Sequence, residues 1–455
     1  MSEPATSEEN EMEARLAYLD EALESGRMRR LKPMLHALHP AEIALLLESV
    51  PRAKREVVWS LVPEEDHGET LLHVNDEVRS ELIEAMDHSV LLAATEGMPI
   101  DDLADFIEDL PDQVTREVLR SMDVQNRERL EAVMSYPSDS AGGLMNNDTI
   151  TVRPDVTLDV VGRYLRQRGT LPEDTNTLFV VSRYGRYLGM LTLAKLVTLD
   201  PERDVSEVMD TDLEALTVDM PAAQVAKRFQ DLDLISAPVV DPDGRLVGRI
   251  TIDDVVDVIR DEAEHSIMTM AGLDEEEDVF APIARSARRR AVWLGANLFT
   301  AFLAAQVVGL FEATLSQVVA LAVLMPIVAS MGGIGGSQTL TLMIRGLSLG
   351  QIGFSNARTL LVKELAVAVI NGLLWGAVVG VIAEVWFGNA VLGLIIAVAL
   401  VINQIGAAVA GVGIPLAMKK MNIDPALAGS VVLTTITDVI GFSAFLGLGT
   451  LFLLD

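Results

Sequence analysis

Five long runs without a formal charge, broken only once, crowd into the last part of this 455-residue chain, and few folds can accommodate them. They fall at 291–311, 313–344, 365–383, 385–418 and 425–454, the last interrupted by Asp438 alone. Each supplies about 20 apolar residues, the length of a helix across a hydrocarbon core. A backbone in lipid has no water to bond to, so runs of this length fold as helices that satisfy their own polar groups. Five spans is the most economical count.

The connections orient the spans. Arg285, Arg288, Arg289 and Arg290 precede the first run; Arg345, Arg358 and Lys363 separate the second and third; Lys419 and Lys420 separate the fourth and fifth. The alternate connections, around Glu312, around Glu384 and at Asp455, contain no Lys or Arg. The excess of basic residues on the inner side puts the N-terminal part in the cytoplasm and the C-terminus outside. From Arg285 to Asp455 there are nine Lys/Arg and six Asp/Glu, a net of +3; subtraction from totals of 35 and 66 leaves 26 and 60 in the rest, a net of −34. The main boundary lies at this step. So acidic a soluble part attracts cations and does not bind nucleic acid by neutralising phosphates. With no cysteine, thiolate metal sites and disulfides are excluded. The polar start MSEPATSEENEMEARL lacks the basic and apolar regions of a cleaved signal peptide.

Two runs are more than lipid anchors. The second contains MPIVASMGGIGGSQTLTL (325–342), with glycines at 332, 333, 335 and 336 after Pro326. Such a stretch is either a seam for close helix packing or a break whose freed carbonyls face protein or a water-filled path; four glycines in five positions favour the break. In the fifth run, an acid at bilayer depth costs at least ~2.5–3.5 kcal/mol and usually marks an ion or proton path. Ser430, Thr434 and Asp438 are spaced i, i+4, i+8, with Gly441 three further on, so they share one helical face. Magnesium takes oxygen ligands, keeps several waters and uses one or two carboxylates. The alternative is an Asp paired with a base on another helix, but no Lys or Arg lies at comparable depth. One carboxylate holds a divalent ion poorly, whereas two facing across a symmetry axis double it, which predicts a homodimer.

The soluble part changes pattern along its length. Residues 1–30 read as an acidic tail or helix. Residues 31–135 have helical periodicity and a weak repeat: ALLLESVPRAKREVVWSLV (44–62) resembles ADFIEDLPDQVTREVLRSM (104–122), sixty residues later. Stacked helix pairs of this kind form an all-α superhelix. His36, His39, His67 and His73 show no metal-ligand spacing and read as ordinary surface or core residues. Residues 136–258 hold two α/β units, at about 144–200 and 207–258, marked by TLFVVSRYGRYLGMLTLAKLV (177–197) and SAPVVDPDGRLVGRITIDDVV (236–256). Each is a strand, a Gly turn, a strand ending Gly-x-x-Thr and a helix start. This tandem pattern resembles CBS domains, which pair into a disc and often bind adenine nucleotides. In such modules an Asp three residues after the Thr often contacts a ribose; the second unit has Asp254 there and the first has Lys195. A nucleotide contact, a helix N-terminal role and a metal contact all stay open for Asp254. Residues 253–283 form a connecting helix and linker, either a solvated tether or a gating connector, leading to the transmembrane domain at 284–455. No nucleophile–base pair or phosphate loop appears, so the chain does not read as an enzyme.

The order of superhelix, CBS pair, connecting helix and five spans resembles the MgtE family of magnesium channels over essentially the whole chain. The resemblance is carried by HPAEIALLLESVP (39–51), the CBS units, the Gly-rich stretch, Lys363-Glu364, DPALAGS (424–430) and TTITDV (434–439). It implies that Asp438, with Thr434 and Ser430, binds hydrated Mg2+ in a pore. It also implies regulatory Mg2+ at Asp101, Asp105, Asp254, Asp257, Glu262 and Asp424, ATP at the CBS pair, and a place in the bacterial inner membrane. Facing carboxylates ~4 Å apart repel by up to ~4 kcal/mol at an effective dielectric of 20. Bound magnesium would bridge them and favour a compact, closed assembly, a feedback valve. Two departures stand out. The family's GGN-x-GNQ is GGIGGSQ here, with Ile334 and Ser337 in place of asparagines, and the connecting helix has His265 and Ser266 where relatives often have acids. Two other readings remain: a proton- or sodium-coupled transporter in which Asp438 titrates, and a CBS-regulated channel for another divalent ion.

Overall fold

The computed structural model describes residues 7–454 apart from 27, 96–97, 173–174, 274–276 and 422, so residues 1–6 of the expected tail and 274–276 of the expected linker lie outside it. The chain divides into two compact units, 1–263 with 276–281 and 264–275 with 282–455.

The first unit contains the helices α1 (Pro40–Glu48), α2 (Arg52–Trp59), α3 (His67–His73), α4 (Asp76–Ala85), α5 (Ile100–Asp109) and α6 (Asp112–Ser121), and prolines start α1, α2, α5 and α6. Pro51 and Pro111 are the extended residues before α2 and α6, with φ −61° and −57°. A proline pushes its predecessor out of the helical region, so α1 and α5 stop and a second helix starts at an angle. The sixty-residue repeat is therefore two helix pairs, α1–α2 and α5–α6. The preceding helix, Ser7–Glu24, buries Leu19 and Ala22 in the same core as Ile43, Leu46 and Leu47, and Lys54 pairs with Asp20 at 2.7 Å. It is part of the helical domain rather than a free tail.

The two α/β units are copies. Sheet β1 (Thr151–Val152), β2 (Thr177–Val181), β3 (Tyr187–Thr192) has the same order as β4 (Leu216–Thr217), β5 (Ser236–Val240), β6 (Leu246–Thr251). Thr177 pairs with Thr192 and Ser236 with Thr251, and the register shifts after Val180 and after Val239. Gly185 and Gly244 turn the hairpins at φ +77°, where a side chain would be strained. Those turns bond each other: Tyr187 N–H donates to Gly244 O and Leu246 N–H to Gly185 O, both 3.0 Å. The second copy shares a core with the helical domain through Phe229, Ile250 and Val255, whereas the first has its own around Leu178, Val180 and Leu191. Helix α7 (Ile252–Met270) follows β6 directly.

The second unit holds α8 (Ile283–Gly309), α9 (Val319–Ser348), α10 (Ala357–Phe387), α11 (Ala390–Lys420) and α12 (Pro425–Leu453), and all five supply segments long and apolar enough to cross a membrane. Leu294, Phe299, Phe302, Leu373 and Ile382 point outward, as a hydrocarbon solvent requires. Helices α9, α11 and α12 pack together, α10 lies along α11, and α8 lies along α12. The organisation matches the expected fold class. The expected break in the second span does not occur: α9 runs unbroken through Pro326 and all four glycines. A Cβ on Gly332 would overlap Asn403, one on Gly335 would overlap Gln404, and one on Gly336 would press on Leu433 at 3.0 Å. These glycines make room for neighbouring helices, which keeps the backbone helical.

Candidate cation sites

Asp424 starts α12: its carboxylate accepts from Ala426 N–H at 2.9 Å, and Pro425 fills the first helical position. The helix then carries Ser430, Thr434 and Asp438 up one face, Thr434 exposed and the other two half-buried. The Thr434 hydroxyl donates back to the carbonyls of Ser430 and Val431 at 3.1 and 3.0 Å, so it presents lone pairs outward. Among the described residues no side chain bonds to or pairs with the Asp438 carboxylate. An unpaired carboxylate beside hydroxyl oxygens can accept from the waters of a hydrated divalent ion.

One turn beyond Asp438, sequence reasoning missed a support. Asn403 of α11 is fully buried between Gly441 and Gly332, and its Nδ2 donates to Val328 O at 2.8 Å. Gln404 Nε2 donates to Met331 O at 2.9 Å. Its signal was an adjacent amide pair in the longest uninterrupted apolar run. Ile334 and Ser337, the departures in α9, are both exposed in the single chain.

A second acid inside the helical bundle was also missed. Glu364 falls within α10, although the sequence reading began the third span just after it; it is buried, accepts from Thr339 Oγ1 at 3.1 Å and pairs with Lys363 at 3.0 Å. It borders a cavity of about 160 Å³ with Gln338, Asn371 and Gln404.

The cytoplasmic acids gather elsewhere. Asp101, Asp102 and Asp105 leave the start of α5; Asp253, Asp254 and Asp257 leave the start of α7. Burial, then the charges of Asp101, Asp105, Asp253 and Asp257, push Asp102 up to about 7. Burial, then Asp101 and Asp253, push Asp254 up to about 8, although Thr251 N–H and Oγ1 both donate to it at 3.0 Å. Burial also raises Asp101, against a hydrogen bond from Asn146 Nδ2 at 3.1 Å. Carboxylates brought together to this degree repel one another, and a divalent cation bridging them would relieve that repulsion. Of the residues singled out from the sequence, Asp101, Asp105, Asp254 and Asp257 are thus brought together. Asp102 and Asp253 join them. Glu262 is exposed two turns further along α7, and Asp424 belongs to the second unit, where His265 Nε2 lies 2.9 Å from its carboxylate. Asp254 reaches back to Thr251 as a helix cap, while its counterpart Lys195 bonds to Asp210 and to Val208 O.

Family models match most of the chain: "Divalent cation transporter" over 325–448, "MgtE intracellular N domain" over 38–139 and "CBS domain" over 141–202 and 205–261. The magnesium transporter MgtE of Thermus thermophilus is 32% identical over 449 residues, 97% of this chain and 99% of that one. That of Bacillus subtilis is 28% identical, covering 95% and 96%. Among solved structures, the cytosolic domain of the Mg2+ channel MgtE in complex with ATP is 33% identical and covers 53% of this chain and 99% of that one, with a TM-score of 0.48. By its near full-length identity to these relatives, the chain belongs to the MgtE family of magnesium transporters, which are not enzymes.

Proposed function

We propose that this transporter is a magnesium-selective divalent cation channel of the bacterial inner membrane, closed by cytoplasmic magnesium. The observation that carries the gating is the aspartate cluster at the starts of α5 and α7, where burial and the neighbouring carboxylates push Asp102 up to about 7 and Asp254 up to about 8. Magnesium bridging Asp101, Asp102, Asp105, Asp253, Asp254 and Asp257 removes that repulsion and favours the compact form by its preference for it. Glu262 and Asp424 stay in the proposal as regulatory ligands on the family resemblance.

In the pore, Asp438 is the ion-facing acid and Thr434 and Ser430 line its approach. The helices α9 and α11 hold α12 through Asn403. Two copies of the chain would bring two Asp438 carboxylates to one axis, so the working unit is a homodimer. The basic connections support a topology with the N-terminus in the cytoplasm and the C-terminus outside. ATP at the CBS pair rests on the CBS resemblance of the two α/β units, with Asp254 as its candidate ribose contact, and that carboxylate is already engaged by Thr251.

The test is magnesium flux into liposomes. Asp438→Ala should abolish it, and Asp102→Asn with Asp254→Asn should leave flux open at high internal magnesium. Unchanged flux in Asp438→Ala would sink the pore assignment. Flux that tracks an imposed proton gradient would instead make Asp438 a titrating group.

A further inference from the structure

Three side chains that look unrelated in the sequence meet on an exposed edge of the helical domain. His39 is the capping residue before α1, and Glu69 and His73 stand at i and i+4 on α3, so both leave one face of that helix. His39 Nε2 is 3.8 Å from Glu69 Oε1, and the His39 and His73 rings lie 6.2 Å apart at 53°. One ligand atom from each of the three lies within 4.8 Å of the other two. All three are exposed, so a hydrated ion reaches them without any opening of the fold.

We infer that His39, Glu69 and His73 form a binding site for a late first-row transition cation of the zinc class, separate from the aspartate cluster and from Asp438. Donor chemistry selects the ion. Imidazole nitrogen suits zinc, copper and nickel, whereas magnesium takes oxygens in strict octahedral geometry and gives up water reluctantly. Zinc binds nitrogen at about 2.0–2.1 Å and carboxylate oxygen at about 2.0–2.2 Å, so tetrahedral ligand atoms stand about 3.4 Å apart. The His39–Glu69 separation of 3.8 Å, and the others of no more than 4.8 Å, close by rotation of exposed side chains, and a fourth position stays open to water.

The protons can be accounted for. His39 Nδ1 accepts from Ala41 N–H at 3.3 Å, so in the neutral ring the proton is on Nε2, facing Glu69. A metal on Nε2 requires that proton to move to Nδ1, which releases Ala41 N–H. Ala41 is exposed, so water replaces the weak bond, and Glu42 still caps α1 by accepting from His39 N–H at 3.0 Å. Bound metal ties the start of α1 to α3, whose Leu46 and Leu71 share one core.

The test uses the full chain in detergent, dialysed against zinc with magnesium in large excess. The wild type should retain one zinc per chain that magnesium does not displace. His39→Asn keeps an oxygen for the α1 cap, and His73→Gln leaves α3 intact; each should weaken that zinc at least tenfold without moving the thermal midpoint in chelator. Equal zinc retention by wild type and both variants, or displacement by magnesium, overturns the site. Cobalt on the wild type needs no variant: intense visible bands of a four-coordinate ion support it, and only the faint bands of six-coordinate cobalt overturn it.

Discussion

His265 Nε2 lies 2.9 Å from the Asp424 carboxylate, joining the connecting helix to the cap of the helix that carries Asp438. Where the family resemblance leads one to expect an acid that needs magnesium to meet Asp424, this chain has a base that meets it directly. Both side chains are about 40% exposed, at 41% and 39%, so the pair is worth at most ~1 kcal/mol. His265→Ala should therefore raise the magnesium concentration that halves flux by no more than about fivefold. His265→Asp places two carboxylates together and should make closure more steeply dependent on magnesium. The measurement is flux against internal magnesium; identical curves for wild type and both variants would remove His265 from gating.

Asp102 and Asp254 make magnesium binding depend on pH. Unfolded aspartates titrate near ~3.9, whereas these titrate at about 7 and about 8 in the fold. Between those limits the folded chain binds more protons than the unfolded one, so metal-free stability falls as pH rises and levels off above about 8. Magnesium competes with the same protons. The rise in thermal midpoint on adding magnesium should be larger near pH ~8.5 than near pH ~6, and Asp102→Asn should shrink the difference. An equal rise at both pH values would show that the cluster is not the magnesium site that stabilises the fold.

The sequence disclosed the elements that follow from composition and short-range spacing. Five spans, the twin CBS units and the Ser430–Thr434–Asp438 face need only apolar length, a repeat and helical periodicity. Groupings across long sequence separations were not readable from local pattern, and the set of Asp101, Asp105, Asp254 and Asp257 was named only through the family resemblance. Asp101 and Asp254 come together only because the second CBS copy shares a core with the helical domain, and nothing in either local pattern encodes that. Likewise the glycines of α9 read as a break because the side chains that Gly332 and Gly335 make room for, Asn403 and Gln404, lie some seventy residues away. The His39–Glu69–His73 grouping was hidden for the same reason.

Those glycines permit a sharp contrast. Gly332→Ala drives a methyl into Asn403, and overpacking of this kind costs about 1–3 kcal/mol. Gly333, its neighbour, has nothing within 4 Å of a Cβ, so Gly333→Ala should be neutral or gain up to ~1 kcal/mol of helix propensity. The midpoint of unfolding in detergent should drop for the first and hold or rise for the second. Matching changes in both would mean that Asn403 does not seat against Gly332.

The linker into α8 is anchored by a buried charge. Arg55 is 1% exposed and donates to Glu81 and to Asp278 at 2.7 Å each, and also to the carbonyls of Leu47 and Val50. Asp278 is 3% exposed, and its own N–H donates to Glu77 at 3.0 Å. Arg55→Ala strips the guanidinium from two buried carboxylates and should cost about 3–5 kcal/mol, although Arg52 still reaches Glu81 at 3.2 Å. Asp278→Asn keeps an oxygen acceptor and should cost less than half as much. Because Ile283 begins α8 only five residues after Asp278, loss of the anchor frees the chain that leads into the first span. Arg55→Ala should therefore lower the unfolding midpoint and open residues 277–281 to protease, while Asp278→Asn should do mainly the second. A wild-type digestion pattern in Arg55→Ala would show that the linker is held by something other than this ion pair.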